Sequence, residues 1–120
     1  MKTVFIAGSR KFYDKIVNLI SELKKRDISA DKAEDWDKTQ KDTFESEKKA
    51  LFAAFEKIDD ADIVYIFADN GYIGKTVAIE IAYAYAKGKE VVSSEELEEL
   101  SARTLISKVM SPEELIEYCK

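Results

Sequence analysis

Residues 75–88 read KTVAIEIAYAYAKG, and of the ten residues from Val77 to Ala86 nine are apolar or aromatic and one, Glu80, is a carboxylate. Helical residues three and four apart share a face, which puts Val77, Glu80, Ile81 and Ala84 on one side. A carboxylate among small and apolar neighbours is partly desolvated unless a ligand or a donor meets it. Such a group is a candidate for acid–base chemistry. The plainer alternative sends Glu80 to solvent or to a lysine, since Glu is rarely fully buried unless paired. A second group stands near the start, in AGSRKF at 7–12. Backbone N–H groups at a helix start, with Ser9 and Arg10 beside Gly8, can hold a phosphate or a carboxylate. An ordinary turn into a helix would use the same residues. Neither this loop nor GYIGKT at 71–76 has the spacing of a dinucleotide fingerprint or a Walker loop.

The rest of the composition narrows the chemistry. There is no histidine, which removes Ser-His-Asp and Cys-His catalysis and any zinc cluster built on imidazole. Acid–base work falls to Asp, Glu, Tyr or Lys, and no metal or cofactor is expected. The single cysteine, Cys119, cannot form an intramolecular disulfide, which suits a reducing cytoplasm. A net charge of −5 argues against a nucleic-acid polymer as partner and leaves a small ligand. The apolar run in MKTVFIAGSRK is too short for a signal peptide or a membrane span.

These residues need elements to position them. The 120 residues suffice for one domain, 1–120, with one core. Thr3 to Ala7 reads as a buried strand ending at Gly8. Phe12 to Lys25 has apolar residues at the helical period. Ile28 to Ala30 is a stunted strand within a polar loop spanning 26–42. Thr43 N-caps a helix whose apolar stripe is Phe44, Leu51, Phe55 and Ile58, with Phe52 beside it. IVYIF after Asp62 is a strand covered on both faces. DNGYIGKT at 69–76 is a loop, and the Glu80 helix follows, ending near Gly88. Glu90 to Ser93 begins a strand, 95–103 is helical, Leu105 to Met110 holds a last short strand, and Ser111-Pro112-Glu113-Glu114 starts a final helix. Alternating strands and helices with apolar central strands predict an α/β three-layer domain on a parallel sheet.

AGSR near the start, ADIVYIF, and GYIGKTVAIEIAYAYAKGK together resemble the nucleoside 2-deoxyribosyltransferase family, which includes hydrolases of deoxynucleoside 5′-monophosphates. The resemblance spans roughly Lys2 to Val92. It implies a flavodoxin-like sheet of about five parallel strands. It makes Glu80 the nucleophile that attacks the anomeric carbon of a 2′-deoxyribose and forms a glycosyl-enzyme ester. It implies Gly8, Ser9, Arg10, Gly71 and Gly74 as substrate-binding positions, with Ser9 and Arg10 against a 5′-phosphate. It also implies a homodimer. The chain departs from the family at two places. Ala82 stands where a Gly is usual. Ala54, eight residues before Asp62, stands where an Asp helps protonate the leaving base. Asp69 or Tyr72 is expected to stand in for that acid. The alternative is a binding module of the same fold that senses a nucleotide without turning it over.

Trp36 is placed to stack on a base or, more plainly, to pin the polar loop. Lys75, at the start of the Glu80 helix, is opposed by the helix dipole, so an anion there is conceivable beside the plain reading of a solvated lysine. Tyr83 and Tyr85 lie on opposite sides of that helix, one expected on the sheet and the other toward a neighbouring subunit.

Overall fold

The computed structural model of the chain describes residues 2–33 and 41–120. Five strands form one sheet: β1 (Val4–Gly8), β2 (Ala30–Lys32), β3 (Ile63–Phe67), β4 (Glu90–Ser93) and β5 (Lys108–Val109). All pairings are parallel and the order is β2-β1-β3-β4-β5. The helices are α1 (Tyr13–Lys25), entered through a 3-10 turn at Arg10–Phe12, α2 (Phe44–Asp59), α3 (Lys75–Ala86), α4 (Leu100–Arg103) and α5 (Pro112–Cys119). This is the flavodoxin-like α/β arrangement that the sequence predicts.

The sheet is buried on both faces because its strands are apolar at successive positions. Val4, Ile6, Ile63, Tyr65 and Val92 point to one face, under α1 and α5, with Ile16, Leu23 and Leu115. Phe5, Ala7, Val64, Ile66 and Val91 point to the other, under α2, α3 and α4, with Ile58, Val77, Ile81 and Ala84. β1 and β3 pair along their whole length, Val4 opposite Ile63 through Gly8 opposite Phe67. After β1 the chain turns to β2 on one side, then returns to β3 on the other. The carboxyl ends of β1 and β3 therefore diverge into a crevice, where ligands bind in sheets of this kind.

Local signals hold where capping is strong. Thr43 and Ser46 form a reciprocal capping box on α2, and Ser111 and Glu114 form another on α5 with Pro112 in its first turn. Other expectations shift. The helix expected over 95–103 is only Leu100–Arg103. The loop at 69–72 claims the stretch before it: Glu98 N–H donates to the Gly71 carbonyl at 3.0 Å, and Gly71 N–H donates to Glu95 Oε1 at 3.0 Å. Leu97, fully buried, anchors that stretch. β2 starts at Ala30, two residues later than Ile28. The strand expected within 105–110 shrinks to Lys108–Val109. Phe44, the first residue of α2, is not in the core but 77% exposed. Ala54 takes a core place on that helix instead. Among the described residues no helix is long and apolar enough to cross a membrane.

Candidate active site

A cleft with a cavity volume of about 390 Å³ opens at the carboxyl end of β1. One wall is the first loop, Gly8, Ser9 and Arg10, with Tyr13 behind it. The facing wall is the first turns of α2, with Ser46, Glu47, Ala50 and Leu51. The start of α3 completes it with Gly74, Lys75, Thr76, Val77 and Glu80.

Gly8 is required where β1 turns out of the sheet. A β-carbon there would come within 2.7 Å of Ile16 Cδ1 and 3.1 Å of the Phe67 carbonyl oxygen. A hydrogen at this position lets α1 and β3 close on the loop without displacing either neighbour. Gly71, with φ +77°, is required in its own loop for conformation as well as space.

Glu80 lines the cleft and is 5% exposed. Among the described residues no hydrogen bond or ion pair meets its carboxylate. Burial pushes its pKa up, to about 7. The solvent-facing or lysine-paired alternative therefore does not hold. Val77 and Ile81 anchor the same face of α3 in the core and carry Glu80 inward with them. A carboxylate in this state is poised near neutrality. It can accept or give a proton there, or attack an electrophilic carbon once ionised.

Arg10 reaches across the cleft mouth. Its guanidinium donates to Asp42 Oδ1 at 2.6 Å and to Glu47 Oε1 at 2.8 Å. Partial burial disfavours its charge, but the bonds to both carboxylates outweigh that and hold its pKa above the ordinary value. Asp42 and Glu47 were not among the residues expected from the sequence. The helix start at Thr43 was the available signal, because a capped first turn fixes the residues three and four positions on.

Of the expected site residues, Gly8, Ser9, Arg10, Gly74 and Glu80 come together in this cleft. Asp69, Gly71 and Tyr72 are not among its lining residues. Asp69 stands 3.8 Å from Lys15 Nζ on the α1 side. The Tyr72 ring lies beneath the Lys11 ammonium at 3.7 Å. Its hydroxyl nevertheless sits 3.9 Å from where a β-carbon on Gly74 would be, which is at the cleft rim. Trp36 lies outside the described residues.

The chain shares its fold with a deoxyribosyltransferase and an N-glycosidase. It is 17% identical to the 2-deoxyribosyltransferase of Bacillus psychrosaccharolyticus, over 97% of this chain and 91% of that one, with a TM-score of 0.67. It is 19% identical to the CMP N-glycosidase of Clostridium botulinum, over 98% and 97% of the two chains, with a TM-score of 0.65. A conserved protein from Enterococcus faecalis matches at 20% identity over 98% and 96%, with a TM-score of 0.67. The family resemblance read from the sequence is thus matched by the fold. No family model matches the chain, and no curated protein matches it in sequence.

Proposed function

We propose that the protein is a nucleoside or nucleotide N-glycosyl enzyme, a 2-deoxyribosyltransferase or a deoxynucleoside 5′-monophosphate N-glycosidase, with Glu80 as nucleophile. The observation that carries this is the Glu80 carboxylate, 5% exposed and without a partner among the described residues, in a cleft large enough for a nucleotide. One Glu80 oxygen bonds to C1′ of the 2-deoxyribose as the C1′–N bond breaks. The bonding pair leaves with the base, which takes up a proton. Water then attacks C1′, freeing the sugar and restoring the carboxylate and a proton; a second base attacking instead gives transfer. The Tyr72 hydroxyl, 3.9 Å from where a β-carbon on Gly74 would be, is one of the two expected acids for the leaving base. Asp69, held toward Lys15, is the other.

The fold shared with a CMP N-glycosidase and a 2-deoxyribosyltransferase supports this reading. A cytoplasmic homodimer belongs to the same reading. Ile79 and Tyr85 on α3 and Phe52 on α2 are 48%, 59% and 53% exposed, an apolar surface suited to a second copy. The second reading is a non-catalytic nucleotide sensor. What favours it is Ala54, buried in the core where the family resemblance implies an Asp.

The test is product analysis by liquid chromatography. Wild type and Glu80→Gln are incubated with each deoxynucleoside and each 5′-monophosphate, with and without a free acceptor base. Release or exchange of base by wild type alone supports the enzyme. Thermal stabilisation by the same compounds without turnover leaves the sensor. Neither effect sinks both.

A further inference from the structure

We propose that Arg10, Asp42 and Glu47 form an ionic latch across the mouth of the cleft, which must release before a molecule reaches Glu80. The latch holds whatever compound the cleft takes, so it stands apart from the N-glycosyl reading. Its two halves belong to different walls. Arg10 opens the 3-10 turn that follows β1. Asp42 stands just before Thr43, the N-cap of α2, and Glu47 lies in the first turns of that helix. The guanidinium donates from Nη1 to Asp42 and from Nη2 to Glu47, one carboxylate on each arm of its planar fork. All three residues line the same cavity as Glu80. Glu80 sits on a third element, α3, and is 5% exposed although it lines that cavity.

The moving part is the Arg10 side chain. The α2 half is fixed by the reciprocal bonds of Thr43 and Ser46, and Glu47 N–H donates to the Thr43 carbonyl oxygen at 2.9 Å. The turn that carries Arg10 starts at Ser9 with no side-chain cap bond, and its far end is tied down by the buried Phe12 against Phe67. Arg10 therefore hangs from the looser end of a short turn, on a long side chain.

The charges set both the closing and the opening. Asp42 and Glu47 are like charges drawn to one guanidinium, so removing Arg10 leaves them to repel each other at the mouth. The Arg10, Asp42 and Glu47 side chains are 39%, 58% and 42% exposed, so dissolved ions reach both bonds. Two such bonds favour the closed mouth without locking it.

The experiment measures access to Glu80 directly and needs no ligand. The full chain is treated at fixed pH with a neutral diazo reagent that esterifies carboxyl groups, and the Glu80 peptide is followed by mass spectrometry. Between about 0.01 M and about 1 M ionic strength the screening length falls from about 30 Å to about 3 Å. Wild-type labelling of Glu80 should rise about threefold to tenfold over that range, as expected of two exposed ion pairs. Arg10→Gln and the double variant Asp42→Asn/Glu47→Gln should label at the faster rate already at low salt and change little with salt. Arg10→Lys, a point charge without the fork, should fall between. Cys119, buried on the opposite face of the sheet, serves as the clock for general unfolding, and its alkylation by a neutral reagent should stay constant throughout. A wild-type rate indifferent to salt overturns the inference, and so does an Arg10→Gln rate no faster than wild type at low salt. Glu80 and Cys119 labelling that rise together overturn it too, because the change is then global. Glu80 left unlabelled in every variant shows that releasing Arg10 opens no path, with the same result.

Discussion

The rings of Phe55 and Tyr83 stack with centroids 4.1 Å apart and planes 14° from parallel. This contact ties α2 to α3, and Glu80 sits on the second of these helices while Glu47 sits on the first. The Tyr83 hydroxyl completes the tie by donating to Asp59 Oδ1 at 2.7 Å. That bond draws the Asp59 carboxyl below its ordinary pKa, against a smaller opposing effect of desolvation. Phe55→Ala should cost about 2–3 kcal/mol, less than the truncation of a fully buried aromatic because the ring is only partly buried. Tyr83→Phe keeps the stack and should leave the urea midpoint nearly unchanged. A Tyr83→Phe loss as large as that of Phe55→Ala would mean that the hydroxyl bond, not the stack, joins the helices.

Gly8→Ala tests the turn at the head of the cleft. The new methyl would meet Ile16 Cδ1 at 2.7 Å and the Phe67 carbonyl oxygen at 3.1 Å. The isoleucine end can rotate away, but the carbonyl belongs to β3 and cannot. The expected cost is about 1–3 kcal/mol, as for other overpacked sites. Adding Ile16→Val removes the clashing Cδ1 and should recover part of it. No recovery in the double variant, measured by urea unfolding, would place the strain at the β3 carbonyl alone.

The periodicity of the sequence exposes the sheet and most helices because each is a local pattern of apolar residues. Glu80 was legible for the same reason, as one carboxylate inside an apolar run. What the pattern could not carry was pairing across the fold. Arg10 meets Asp42 and Glu47 at sequence separations of 32 and 37, through a geometry set only when β1 and α2 lie side by side. The short α4 fails for a similar reason: Gly71, more than twenty residues earlier, takes the backbone and side-chain bonds that a longer helix over 95–99 would need. Phe44 shows the limit of periodicity itself, since it keeps the helical phase but, as the first residue of α2, stays exposed.

Thr43→Ala removes one half of the capping box on α2. Thr43 accepts from Ser46 N–H at 3.1 Å, and Ser46 Oγ accepts from Thr43 N–H at 2.9 Å. The loss should be about 1 kcal/mol of stability. Ser46 and Glu47 lie in the turn that this cap fixes, so amide exchange should quicken across the first turn of α2 and not in α3. Uniform quickening through both helices would show that the cap acts on global stability alone.

Glu80 should give stability and turnover opposite slopes with pH. Its pKa is about 7 in the folded chain against an ordinary value of 4.5, and the cause is burial. Between those two values the folded state keeps the proton and the unfolded state gives it up. The stabilisation is therefore full below the unfolded pKa and is lost as pH rises through the folded one. The total is about 3 kcal/mol at most. Glu80→Gln keeps the side-chain volume and does not titrate, so its stability should change less over pH 5–8 and exceed that of wild type most at the upper end. On the proposed nucleophile role of Glu80, turnover needs the ionised carboxylate, so wild-type kcat/KM should climb as pH rises through about 7 and level off above it. Urea unfolding of both proteins across this range gives the first slope, and initial rates of base release give the second. Parallel stability curves for wild type and Glu80→Gln would show that this carboxylate does not titrate near neutrality in the folded protein.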